Sequence, residues 1–343
     1  METHPDSNVV HERAAAWLDR YKLGDPQEMA RIEVGLMVGM CYPDAALERL
    51  QVAADLIYWG FSIDGQVDLP YQAERLRSMY CRQGAVQRLL DAPASPPLDD
   101  DPLAVAGADL LARLAVLATP AQLARISSAW RSYWNGELWA MARRADTPPP
   151  GLNEAIAIRL TSIGCQVSFA YAEIAHDYRL TDDQLADPAV RALTEMALLL
   201  TGWDNDIFSF AKELAHGVAE TGLVVQLAHR HNGDLEKALP QAIKWRNRVM
   251  ALFVALRVQV SRRAPDALCR YLVDLGRMIS GFTHWWGTSA RYKLQGLDEQ
   301  HVALLARVTV GPDGNGPDPG PALPIPTIAW WWDQLDHRAK EQQ

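Results

Sequence analysis

"TGWDNDIFSFAKELA" at residues 201–215 follows "MALLL" at 196–200, in one of the most apolar parts of the chain. Ile207, Phe208, Phe210 and Ala211 fill its gaps, so it reads as a buried helix. On a helix each residue turns about 100°, which puts Ser209, Lys212 and Glu213 within roughly 100° of Asn205. Asp206 points about 100° away, at the edge of that stripe. A buried stripe of amide, hydroxyl, carboxylate and ammonium is costly unless something satisfies it, at roughly 1–3 kcal/mol per unmatched group. Its oxygen donors are hard ligands of the kind that suit Mg²⁺, an ion that keeps waters and shares itself with substrate phosphates.

A partner for the stripe lies upstream in "LIYWGFSIDGQVDLP" (56–70), after the aromatic residues Tyr58, Trp59 and Phe61. Asp64 and Asp68 are one helical turn apart, so their like charges repel unless a cation lies between them.

The rest of the chain sets the frame. Apolar residues recur with helical period almost everywhere, as in "AALERLQVAADLIYWGF" (45–61), "LNEAIAIRLTSIGCQVSFAYAEIA" (152–175) and "QAIKWRNRVMALFVALRVQVSRR" (241–263). No stretch shows sustained alternation with glycine hairpins. An all-α fold of about ten to twelve helices follows. Proline- and acid-rich breaks at 91–102 and 145–151 are short enough to be loops between helices. The expected organisation is one domain over 8–308, then a tail over 309–343. The tail holds a Pro/Gly linker, "GPDGNGPDPGPALPIPT" (311–327), expected to be poorly ordered, and the Trp-rich "PTIAWWWDQLDHRAK" (326–340). Three consecutive tryptophans cannot share one helix face. The tail is expected to dock on its own domain, with capping of the site or packing on a second subunit as alternatives.

Composition narrows the function. Of 343 residues, 49% are hydrophobic and 22% charged, an ordinary globular balance, and the formal net charge of −9 argues against nucleic acid or an anionic membrane as partner. The four cysteines are far apart and in no metal-type spacing, which fits buried thiols in a reducing cytosol. The N-terminus has no basic and apolar leader pattern, and no run reaches the roughly 18 apolar residues of a transmembrane helix, so a cytoplasmic protein is expected. The 12 Trp against 6 Phe are the compositional oddity, and tryptophan offers the strongest cation–π face among side chains.

Taken together, "DGQVD" at 64–68 and "NDIFSFAKE" at 205–213 resemble the two metal-binding motifs of class I terpene synthases, DDxxD and NDxxSxxxE. The second motif is complete. The first has Gly65 at its second position and keeps the leading Asp64, which in the family carries most of the metal binding. Two further features are similar to the bacterial branch of that family. Arg159 in "IAIRLTSIG", 46 residues before Asn205, matches its diphosphate-sensing arginine, with Ser162 and Ile163 at the linker and effector positions. "HWWGTSARY" supplies Trp285 and the Arg291–Tyr292 pair. The resemblance runs from "AAAWLDRYKL" to Tyr292.

The resemblance implies the class I terpenoid synthase fold, a single-domain bundle around an apolar active-site cavity, as a monomer or homodimer. It implies three Mg²⁺ ions held by Asp64, Asp68, Asn205, Ser209 and Glu213, and a prenyl diphosphate substrate, farnesyl diphosphate by default and geranylgeranyl or geranyl diphosphate otherwise. Arg159, Lys212, Arg291 and Tyr292 would then serve the diphosphate. Tyr58, Trp59, Phe61, Trp203, Phe208 and Trp285 are the aromatic candidates for the carbocation. Two other readings compete: a chain-elongating prenyltransferase, which would show two DDxxD motifs, and a helical prenyl-diphosphate-binding protein without catalysis.

Overall fold

The computed structural model describes residues 2–67, 72–144, 148–216, 221–289 and 319–340, with residues 26, 28, 64–67, 210–216 and 336–340 described by backbone alone. The described regular structure is helical throughout: α1 (Ser7–Tyr21), α2 (Pro26–Ala30), α3 (Val34–Cys41), α4 (Leu47–Val67), α5 (Ala73–Asp91), α6 (Pro102–Leu117), α7 (Pro120–Arg143) and α8 (Leu152–Ser162). Then come α9 (Cys165–Ala175), α10 (Asp182–Ala186), α11 (Pro188–His216), α12 (Leu223–Arg230), α13 (Leu235–Ser261), α14 (Asp266–Thr288) and α15 (Pro326–Lys340).

Side chains at the breaks start the next helix. Asp101 accepts from the Leu103 N–H at 3.1 Å with Pro102 in the first turn, and Thr119 and Gln122 form a reciprocal capping box at the head of α7. Thr181 and Gln184 repeat that box on α10.

The described residues gather into two compact units. The first draws on Met1–Thr147, Thr161–Tyr178 and Ser280–Lys293, the second on Pro148–Leu160, Arg179–Ile279 and Leu294–Gln343. In the first unit α4 packs on α1, α3, α6 and α9, and α7 packs on α5 and α9. Its core is aromatic, with Trp59 edge-on to Trp130 at 4.7 Å and Trp130 edge-on to Tyr133 at 5.7 Å. Gly136 on α7 lies against the end of α8: a Cβ there would stand 2.5 Å from the Thr161 carbonyl carbon. The absence of a side chain is what allows that approach.

In the second unit α11 packs on α10, α12, α13 and α15. Leu193, Met196, Leu199, Leu200, Trp203 and Ile207 give it a buried apolar face. The Trp-rich segment docks here. Ile328 and Trp331 are fully buried, and the Trp331 indole N–H donates to Glu195 Oε2 at 3.0 Å. Trp332 donates to the Gly320 carbonyl at 2.9 Å, and the Thr327 N–H to Asn153 Oδ1 at 2.8 Å. The end of the expected linker is also built in: Leu323 and Ile325 are buried, and Arg248 donates to the carbonyls of Pro319 and Pro321.

The stretch Leu152–Ala175 contains an 18-residue window with the mean hydropathy, 1.2, of a membrane span, yet 61% of that window is buried within the protein. It is also broken into α8 and α9 at Gly164, whose φ of 78° lies in the left-handed region that favours glycine.

Candidate active site

The polar stripe is on α11, as its spacing predicts. Asn205 is half-buried, and Ser209, one turn on, is buried. Lys212 and Glu213 continue the same helix, where the backbone alone is described. Asp64 belongs to the last turn of α4, again by backbone alone; Asp68, Arg291 and Tyr292 lie outside the described residues.

Arg159 on α8 is brought to α11. Its Nη2 donates to Asn205 Oδ1 at 2.7 Å, lies 2.8 Å from Asp206 Oδ1, and donates to the Gly202 carbonyl at 3.2 Å. The other Asp206 oxygen accepts from the Leu223 N–H, the first residue of α12, at 2.8 Å. Burial pushes the Asp206 carboxyl above its ordinary range, while Arg159 and the Leu223 N–H pull against it. Asp206 is therefore the residue that ties α8 and the head of α12 to α11. Spacing alone had put it only at the edge of the stripe.

The preceding residue does the same toward α13. Asp204 receives a two-pronged contact from Arg246, Nε to Oδ1 at 2.7 Å and Nη2 to Oδ2 at 2.8 Å, with both side chains buried. Sequence reading passed over Asp204 and Arg246. The available signal was Asp204 itself, a carboxylate directly after Trp203 in a run that must be buried, which demands a cation from another helix.

α8 ends at Ser162, which is buried; Ile163, half-buried, and Gly164 make the turn into α9. Gln166 Nε2 donates back to the Thr161 carbonyl at 2.5 Å and ties the break together.

The aromatic candidates divide. Tyr58 is fully buried in the first unit, its hydroxyl donating to the Met29 carbonyl at 3.2 Å and 3.3 Å from His11 Nδ1. Trp59 donates to the Leu103 carbonyl at 2.9 Å and packs on Trp130. Both are occupied in helix–helix packing. Phe61 is half-buried with its ring 5.9 Å from that of Trp285, whose N–H donates to the Ile32 carbonyl at 2.6 Å. In the second unit Trp203 is fully buried, with no hydrogen-bond partner for its indole N–H among the described residues, and Phe208 is half-buried.

Among the described residues there is no group of three His, Cys, Asp or Glu side chains that could hold a metal. The described donors nevertheless fit Mg²⁺: an amide oxygen and a hydroxyl one turn apart on one helix face are hard oxygen ligands, and they leave most of the coordination shell to water and phosphate.

Known proteins resemble this chain in sequence and in fold. The family model "Terpene synthase family 2, C-terminal metal binding" matches residues 55–251, more than half of the chain. Bonnadiene synthase of Allokutzneria albata is 33% identical over 97% of this chain and 94% of its own. The (+)-T-muurolol synthase of Streptomyces clavuligerus, named as (2E,6E)-farnesyl diphosphate cyclizing, is 29% identical over 96% of this chain and 79% of its own. Among solved structures, the SVS_A2 protein from ancestral sequence reconstruction superposes with a TM-score of 0.79 at 29% identity, covering 97% of this chain and 96% of that one. The chain belongs to terpene synthase family 2 and is a class I terpene synthase of the bacterial type, a lyase acting on a prenyl diphosphate.

Proposed function

We propose that the protein ionises farnesyl diphosphate in a Mg²⁺-dependent step and cyclises the resulting carbocation to a terpene hydrocarbon or alcohol. The observation that carries this reading is the complete Asn205–Asp206–Ser209–Lys212–Glu213 motif on one helix, with Arg159 already drawn to Asn205 and Asp206. The choice of farnesyl diphosphate follows the Streptomyces clavuligerus relative, which is named as cyclizing that substrate. Geranylgeranyl diphosphate is the competing substrate.

Asn205, Ser209 and Glu213 would hold metal from α11, and Asp64 and Asp68 would hold it from the first motif. Bound Mg²⁺ supplies Lewis acidity that neutralises the leaving diphosphate. The C–O bond breaks with its electron pair going to the diphosphate, and the cation finally loses a proton or takes up water. Arg159, Lys212 and Arg291 would donate to the diphosphate oxygens, and Tyr292 would add a hydroxyl; the planar fork of arginine suits that task. Phe61 and Trp285 would lend aromatic faces to the cation, at roughly 0.5–2 kcal/mol each. An apolar cavity would keep out the water that would quench it.

Replacing Asn205 or Glu213 by alanine tests this directly. Each variant should keep its helical circular dichroism and lose diphosphate release. Full activity in either would rule the reading out.

A further inference from the structure

Asp204, Asn205 and Asp206 are consecutive on α11, so their side chains leave the helix about 100° apart. The outer two are buried carboxylates held in different directions. Asp206 is fixed to Arg159 of α8 and to the head of α12. Asp204 is fixed by both prongs of Arg246 on α13, at 2.7 and 2.8 Å. Asn205 lies between them, and Ser209 follows one turn later on the same face. A helix held on one side can still roll about its axis; held on both sides of one residue, it cannot.

We infer that the Asp204–Arg246 ion pair is a positioning element that fixes the axial rotation of α11 and thereby aims Asn205 and Ser209 at the metal-diphosphate. This rests on the reading of those two residues as metal ligands. A buried ion pair adds little net stability over apolar side chains of similar volume, and its attested use is to specify one arrangement among several. Arginine gives this contact a direction as well as a charge, since both carboxylate oxygens are engaged at once. Arg125 and Glu173, an ion pair at 2.7 Å between a half-buried arginine and a buried carboxylate, form the natural control because both belong to the first unit, which holds neither Asn205 nor Ser209.

The test is calorimetric titration of the full-length protein with inorganic diphosphate in the presence and absence of Mg²⁺, alongside thermal melting. The paired change Asp204→Leu/Arg246→Met should melt cooperatively and bind Mg²⁺-diphosphate about 10- to 100-fold more weakly, the range typical for residues that orient metal ligands. Arg246→Lys, which keeps the charge and loses the fork, should weaken binding by less. Arg125→Met/Glu173→Leu should leave affinity unchanged. Wild-type affinity in the Asp204/Arg246 variants, or equal weakening in the control pair, would overturn the inference while leaving the functional reading intact. If the double variant does not fold, Arg246→Lys decides alone, and unchanged affinity there overturns the inference. Wild-type protein that binds no diphosphate with Mg²⁺ would overturn the functional reading and this inference with it.

Discussion

Arg159 stands 2.8 Å from Asp206 across the α8–α11 contact, and the same guanidinium nitrogen donates to the proposed metal ligand Asn205 at 2.7 Å. One cation thus answers both to a carboxylate that stays buried and to an amide oxygen that metal would claim. On the proposed reading, entry of metal-diphosphate would redistribute the Arg159 contacts.

Asp206→Asn should destabilise the fold by about 1–3 kcal/mol, because it removes the charge that faces the half-buried Arg159 and turns an amide nitrogen toward one of the two donors the buried carboxylate accepts from. It should also reduce turnover. Urea titration measures the first and diphosphate release the second. Unchanged stability would mean that the pair does not tie α8 to α11.

Trp331→Ala should cost about 3–5 kcal/mol, since it empties a fully buried site on α11 and leaves Glu195 without the indole donor. Ending the chain after residue 310 should go further and lower both melting temperature and activity. A truncated protein with wild-type melting would show that the tail adds nothing to the second unit.

Gly136→Ala should destabilise by about 1–3 kcal/mol, because the new Cβ would meet the Thr161 backbone at 2.5 Å. The strain falls on the residue before Ser162 and Ile163, so turnover should fall as well. Denaturant midpoints and steady-state rates check the two parts separately.

The α1–α4 contact gives stability a pH dependence. Burial lowers the His11 pKa from its ordinary 6.5, against the smaller upward pull of Glu33 and Glu12. The folded state therefore keeps His11 neutral while the unfolded chain takes up a proton near pH 6.5. By linkage, this contribution to stability is complete above that pH and is lost as pH falls through it. Buried carboxylates with raised pKa values, Asp55 and Asp206, act in the opposite direction at lower pH, so the comparison that isolates His11 is wild type against His11→Gln. The urea midpoint of the variant should fall less between pH 8 and 5.5. Parallel profiles would contradict the assignment.

How far the sequence reached depends on range. Long amphipathic helices such as α7, α11 and α13 announce themselves by period, and the capping signals of Asp101, Thr119 and Thr181 are local chemistry that a sequence shows directly. The five-residue helices α2 and α10 are too short to carry a period. The polar stripe of α11 could be read because its spacing is set within one helix, and Arg159 because the family resemblance supplied a spacing to Asn205. Arg246 was invisible: its partner is 42 residues away on another helix, and nothing local marks one arginine of α13 over another. Tyr58 and Trp59 show the same limit. The sequence presents an aromatic run before Asp64, and only the fold tells which rings fill interhelical gaps. Nor does composition mark the two units, since each draws on separated stretches of similar make-up.

The most direct measurement is to incubate the purified protein with Mg²⁺ and, separately, geranyl, farnesyl and geranylgeranyl diphosphate, and to analyse the organic layer by gas chromatography with mass detection. A cyclic hydrocarbon or alcohol from farnesyl diphosphate, lost when EDTA is added, is the predicted result. A cyclic product from geranylgeranyl diphosphate alone would correct the chain length and leave the chemistry standing. No cyclic product from any of the three, or one indifferent to EDTA, would contradict the account.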